Sequence, residues 1–141
     1  MKRSTALAPL SRDHQHALDI ALRLGRAEAG DLGDAVARFE SFFEQEGRRH
    51  FDVEERLILP AVSAHDAEWA AMVRRIRSDH DAIRAIADTA EELTTADAHA
   101  LGERLRDHVR FEERVAFAFL EERLTTEELE RLGRAIEELG P

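Results

Sequence analysis

One phrase occurs twice in this chain. His50-Phe51-Asp52-Val53-Glu54-Glu55-Arg56 returns as His108-Val109-Arg110-Phe111-Glu112-Glu113-Arg114, so that a histidine is followed four residues later by a glutamate, then by a second glutamate and an arginine. On an α-helix, positions i and i+4 are neighbours on one face, roughly 5 to 6 Å apart between Cβ atoms. Each phrase therefore aims an imidazole and a carboxylate at one point. Each also has a forerunner, Arg12-Asp13-His14-Gln15-His16-Ala17 before the first and Ser78-Asp79-His80-Asp81-Ala82-Ile83 before the second. The order Asp-His, HxxxE, Asp-His, HxxxE is that of two helical hairpins of similar design.

Hydrophobic periodicity puts all four motifs on helices. A first helix is expected from about residue 11 to 29, with Ser11 as N-cap and Leu10, His14, Ala17, Leu18 and Ala21 on its inner stripe. His14 lies on that stripe, whereas His16 is about 200° further round and belongs to the polar side. After the turn residues Gly30-Asp31-Leu32-Gly33-Asp34, a second helix carries Val36, Phe39, Phe43, His50, Glu54, Leu57 and Ile58 inward. Its weak points are Gly47 and Pro60, and a kink or an end is expected near 60, because proline removes a hydrogen bond and clashes with the preceding turn. Ser63-Ala64-His65-Asp66 offers caps for a third helix, whose inner residues are Trp69, Met72, Val73, Ile76, His80, Ile83, Ile86 and Leu93 and whose end is expected near Thr94. The fourth begins after Thr94-Thr95-Ala96-Asp97 and turns Leu101, Leu105, His108, Phe111, Glu112, Val115, Phe119 and Leu120 inward. Thr125-Thr126-Glu127-Glu128 is a capping box for a short fifth helix that stops at Gly140. No segment alternates with period two, so no strands are expected. The fold class is all-α: an up-down-up-down four-helix bundle over about 11 to 122, with a short extra C-terminal helix at about 126 to 139, all in one domain of 1–141.

Folding the helices back on one another brings residues 14, 50 to 54, 80 and 108 to 112 to one level. A single histidine on an apolar face is usually a hydrogen-bonded core residue. Four histidines and two glutamates at one level are different, because burying two carboxylates without compensation costs several kcal/mol each and a cation supplies the compensation. The candidate metal ligands are His14, His50, Glu54, His80, His108 and Glu112, with His16 as the alternative to His14 on the first helix. Glu55, Glu113, Arg56 and Arg114 fall one position off the stripe and read as flanking salt bridges of little individual weight. Asp13, Asp79 and Asp107 read equally as acceptors that orient histidines or as exposed side chains. His65 and His99 sit in or beside loops and are expected to be solvated. Imidazole and carboxylate without thiolate suit iron or manganese, with zinc less favoured. HExxH is absent, and no glutamate stands three residues before any histidine, so the ExxH pattern of ferritin-like carboxylate bundles is missing.

Composition narrows the partners. With 30 acidic against 20 basic side chains the formal charge is −10, and the basic residues are scattered, so no nucleic-acid partner is expected. The chain has no cysteine, which excludes disulfides and thiolate metal sites. No apolar run approaches the roughly 20 residues that span a bilayer, so no membrane association is expected and the expected location is cytoplasmic.

Arg12-Asp13-His14, the stretch from Gly47 through His50, Glu54 and Glu55 to Pro60, Ser78-Asp79-His80 through Arg84, and His108 through Arg114 together resemble the hemerythrin-like, HHE cation-binding family, over nearly the whole chain to about residue 122. The resemblance implies a four-helix bundle with a non-haem di-iron centre, His14 and His50 on one iron, His80 and His108 on the other, and Glu54 and Glu112 bridging. It also implies reaction with oxygen, nitric oxide or peroxide. The oxygen-carrying members have a fifth histidine one turn after the first on the third helix, where this chain has Arg84. The four-histidine, two-glutamate set is similar to that of di-iron proteins linked to repair of iron-sulfur centres, which carry a cysteine-bearing N-terminal segment. The expected cofactor is thus two iron ions with an oxo or hydroxo bridge, about two coordination positions being left open by that bridge, four imidazoles and two bridging carboxylates. The expected function is binding or reduction of a small oxidant in oxidative or nitrosative stress, with a redox partner that the sequence does not name. The alternative is a non-catalytic oxygen or iron binder or sensor, so the residues fit an enzyme and a binder alike.

Overall fold

A chain of helix-length apolar stripes separated by turn residues can bury those stripes only by packing helix on helix. The computed structural model describes residues 3–139, and among these residues there is no strand. Helix α1 is Ala8–Arg26. It begins at Ala8 rather than at Ser11, because Pro9 sits in the first turn, where its missing N–H is not needed, and the Leu7 and Ala8 amides already bond to the Ser4 carbonyl at 3.1 and 3.0 Å. It ends at Arg26, short of residue 29, where Ala27 turns extended with ψ of 138°.

The second rod, α2, covers residues 32–61. It is an α-helix over Leu32–Phe42, a π turn at Phe43–Gly47, an α stretch at Arg48–Val53, a second π turn at Glu54–Ile58 and a closing 3₁₀ turn at Leu59–Ala61. The rod ends at Pro60 and its neighbour, as the proline requires. Helix α3, Ala67–Asp88, is capped by Asp66, which accepts the Trp69 amide at 3.0 Å. It stops at Asp88 rather than near Thr94, since Thr89 leaves the helical region, Ala90–Glu92 form a 3₁₀ turn and Thr94 is taken by the next helix. There Thr94 and Asp97 exchange hydrogen bonds at 3.0 and 3.1 Å in a capping box. Rod α4 covers residues 95–123, with α-helix at Thr95–Phe111, a π turn at Glu112–Ala116 and α-helix at Phe117–Arg123. Helix α5, Thr126–Leu139, opens on the expected box between Thr125 and Glu128. Its expected stop at Gly140 lies outside the described residues.

The two glutamate phrases share a backbone irregularity. In each, the amide five residues on, Leu59 or Phe117, bonds back to the carbonyl of Glu54 or Glu112. A π turn holds one more residue than an α turn, so every position after it is rotated by about 100° from the helical register extrapolated before it. That overturns one expected inner position. Val115 is 40% exposed, and Ala116 and Phe117 take the inward places. Leu57 is likewise only half-buried, while Ile58 and Leu59 are buried.

The core is split into two apolar blocks. One gathers Leu24, Phe39, Phe43, Ile83, Leu101 and Leu105, and the other Leu7, Ile58, Trp69, Ile76, Phe117 and Leu120. Along α1, His14 falls between Leu10 of one block and Ala17 of the other; along α3, His80 falls between Ile76 and Ile83. The motif layer is therefore sealed on both sides by hydrocarbon. Helix α5 closes the second block with Leu132 and Ile136.

Helices α1 and α4 approach closely at Gly102. A Cβ there would stand 2.7 Å from the Ala21 carbonyl oxygen and 2.9 Å from the Gly25 nitrogen, which are backbone atoms that cannot swing aside. Gly102→Ala is expected to destabilise the protein by about 1–3 kcal/mol through overpacking. Gly33→Ala, where an added Cβ meets nothing within 4 Å, is expected to be neutral or to stabilise by up to about 1 kcal/mol. Urea unfolding followed by circular dichroism measures both.

Candidate metal centre

Side chains of all four long helices meet in the sealed layer. His14 comes from α1, His50 and Glu54 from α2, His80 from α3, and His108 and Glu112 from α4. All six are buried, Glu54 and His80 completely. They divide into two overlapping groups, His14, His50, Glu54 and Glu112, and Glu54, His80, His108 and Glu112, with one nitrogen or oxygen per residue lying within 4.8 Å of the others in its group. Both glutamates belong to both groups.

What aims the imidazoles is a second set of carboxylates outside them. His50 Nδ1 donates to Asp13 at 2.9 Å, His80 Nδ1 to Glu55 at 2.7 Å, His108 Nδ1 to Asp79 at 3.0 Å and His14 Nδ1 to Glu113 at 2.6 Å. Each acceptor stands on a helix neighbouring its histidine, so the four bonds run α1 to α2, α2 to α3, α3 to α4 and α4 to α1 in a closed ring. A carboxylate on Nδ1 fixes the tautomer and leaves Nε2 as the lone-pair donor, the arrangement found in histidine metal ligands. The expectation that Glu55 and Glu113 are weak flanking salt bridges is corrected by this ring. Each follows the inner glutamate by about 100°, which in a bundle points at the adjacent helix rather than at water. Their recurrence in both phrases was the available signal. Ser11, expected as a helix cap, instead donates its hydroxyl to Glu113 at 2.8 Å. Asp13 and Asp79 act as acceptors, whereas Asp107 pairs with Arg106 on the surface.

The inner nitrogens converge without satisfying one another. His50 Nε2 is 3.1 Å from His14 Nε2 and 3.2 Å from Glu54 Oε2; His80 Nε2 is 3.1 Å from Glu54 Oε1; His108 Nε2 is 3.4 Å from Glu112 Oε1. Only His14 Nε2 makes an ordinary bond to a carboxylate, to Glu112 at 2.8 Å. Both oxygens of Glu54, and Nε2 of His80 and of His108, are buried with no hydrogen-bond partner. Unpaired polar atoms at that depth are costly, and here they surround common points between the two glutamates. The donor set fits divalent or trivalent cations held by imidazole and carboxylate.

The remaining candidates lie elsewhere. His16 is on the outside of α1, bonded to Glu46 at 2.6 Å and half exposed. His65 is exposed, and His99 stands in the first turns of α4, where it bonds to the Ala27 carbonyl at 2.7 Å. Arg56 pairs with Asp52 on the surface, and Arg114 is exposed. Gly47, a weak point of its helix by sequence, lies beside the site at the edge of a small cavity that His14, His50 and His108 also line. The Phe43 ring lies over it, and a Cβ at 47 would come within 2.6 Å of Phe43 Cδ1.

Fold and site together define a four-helix bundle whose interior carries a histidine and glutamate cluster able to hold metal. The chain belongs to the hemerythrin family, the model of the hemerythrin HHE cation-binding domain matching residues 5–120. No curated protein and no solved structure matches it. Among the described residues no helix is long and apolar enough to cross a membrane.

Without a cation, protons take its place. Burial pushes His108 down, but the Glu112 charge and the bond to Asp79 outweigh it and raise its pKa to about 10. Burial also opposes His80, and the nearby Glu112 and Glu54 carboxylates raise it to about 9. His14 is raised by Glu112 and Glu113, and His50 by Glu54 and Asp13, against the same burial. Burial favours the neutral acid at Glu112, yet the His108 charge overrides it and holds Glu112 well below the usual carboxylate range. A histidine whose folded pKa lies above its unfolded value stabilises the fold below that unfolded value and loses the contribution as pH rises through the folded one. Metal-free protein is therefore expected to melt at progressively lower temperature from about pH 6.5 to pH 10, and metal-loaded protein to resist that fall because cations replace the protons. Calorimetric scans across this range, with and without metal, test the sign.

Proposed function

We propose that the cluster holds two iron ions and that the centre binds or reduces a small oxidant, oxygen, peroxide or nitric oxide, in oxidative or nitrosative stress. The observation that carries this reading is the set of buried, unpartnered donor atoms arranged as two groups around two shared carboxylates. In this reading His14 and His50 would hold one ion and His80 and His108 the other, with Glu54 and Glu112 available to both. A bound iron pair supplies electron transfer at two adjacent ions, which matches the two-electron reduction of peroxide. A donor set of imidazole and carboxylate without thiolate suits iron.

This chain's own residues do the rest. The ring of outer carboxylates holds the Nδ1 proton of each histidine, so that Nε2 is the atom turned toward the ion, and fixes its direction. The two apolar blocks exclude water, so charge at the centre is screened little. Arg84 stands one turn after His80, and its guanidinium stays protonated and is no ligand, which leaves coordination positions for an exogenous molecule. Beside His14, His50 and His108 lies a cavity of about 20 Å³, walled otherwise mainly by Ala17, Phe43, Phe51, Leu105 and Val109. It exceeds the roughly 10–15 Å³ that one water needs, and so suits a diatomic molecule or peroxide better than any larger substrate.

Metal analysis of protein expressed with adequate iron is expected to find about two irons per chain, as two donor groups require. His108→Ala is expected to lower that content sharply and His65→Ala to leave it unchanged; one ion per chain, or equal losses in both variants, would defeat the assignment. Reduced protein mixed with oxygenated buffer in a stopped-flow spectrometer is expected to oxidise rapidly, and reduced protein mixed with peroxide without oxygen to consume about one peroxide per iron pair, both ions giving up one electron. Oxygen uptake that is recovered under vacuum would point instead to a non-catalytic carrier.

A further inference from the structure

The four outer carboxylates look equivalent until their other contacts are compared. Glu55 alone is gripped by a guanidinium through two short bonds, Arg84 Nη1 to Oε2 at 2.8 Å and Arg84 Nη2 to Oε1 at 3.0 Å. Oε2 is also the oxygen that accepts His80 Nδ1. Glu113 is held instead by the neutral Ser11 hydroxyl, with Arg3 no nearer to its carboxylate than 3.5 Å. Asp79 has a single longer contact to the exposed Arg104 at 3.6 Å, and among the described residues Asp13 pairs with no arginine or lysine. The ring is closed in topology but uneven in charge.

We propose that Arg84 is a positioning residue that acts through Glu55 on His80 and makes the His80/His108 half of the centre easier to reduce than the His14/His50 half. The inference rests on the di-iron reading above. Two effects of one sign support it. A bidentate guanidinium draws negative charge from Glu55, so Glu55 pulls less on the Nδ1 proton and His80 Nε2 is the weaker donor to its ion. The positive charge of Arg84 itself also favours the lower oxidation state. Opposing charges are present but solvated: Asp81 is 3.5 Å from Arg84 and 78% exposed, so its effect is screened. Arg84 is further fixed over the Phe51 ring at 5.4 Å, and Phe51 stacks on the His80 ring at 3.8 Å and 11°. Guanidinium, phenyl, carboxylate and imidazole thus form one block on this side of the centre.

The test is a spectroelectrochemical titration of iron-loaded protein, with metal content measured first on every variant. Wild type is expected to show two separated one-electron steps. Arg84→Gln is expected to move the upper step to lower potential and bring the two steps together, Arg84→Lys to restore most of the separation, and Arg104→Gln to leave it nearly unchanged. If Arg84→Gln retains two irons and both steps stay where they were, the inference is overturned even when the melting temperature falls, since Arg84 is then only a structural ion pair. A wild-type protein without two irons removes the di-iron reading itself and this inference with it.

Discussion

Two glutamates face the middle of a hydrocarbon-walled bundle, and the rest of the structure is arranged around that fact. Glu54 and Glu112 are 0% and 1% exposed, too deep for water to solvate their charge. A buried carboxylate must find protons, cations or donors, because its isolated ionised form costs several kcal/mol even after relaxation. The four histidines answer that requirement in either condition: protonated, they neutralise the carboxylates directly; deprotonated, they join them in holding cations. A cation bound there would consequently be coupled to the stability of the fold.

The ring of outer carboxylates links this local chemistry to the architecture. Asp13, Glu55, Asp79 and Glu113 each reach from one helix to a histidine on an adjacent helix. A helix that slid by one turn would break its own donor contact and that of its neighbour together. The register of the bundle is thus set by polar bonds at one level, whereas the apolar blocks above and below tolerate small shifts in packing.

The π turns belong to the same scheme. Both inner glutamates begin one, and both are followed by the glutamate that crosses to the next helix. The extra residue re-phases the helix after the site, so that Ala116 and Phe117, rather than Val115, face the second apolar block. Such insertions cost regular hydrogen bonding and are found preferentially at functional sites.

Most of the bundle and all six inner residues were legible in the sequence, because helical periodicity and i, i+4 spacing are local rules that a repeated phrase displays twice. Turn chemistry was equally local, and the capping box at Thr125 stands where composition put it, whereas the one at Thr94 opens a helix expected to begin only after Asp97. What the sequence could not express was everything that depends on a neighbouring helix. Glu55 and Glu113 read as solvated because their partners, His80 and His14, are far away in the chain, and Ser11 read as a cap because Glu113 was out of sight. Val115 was misplaced since a π turn leaves no mark in periodicity before the point at which it shifts the phase. Whether a charged side chain beside an apolar stripe meets water or another helix is decided by which surfaces touch, and only the packed tertiary structure fixes that.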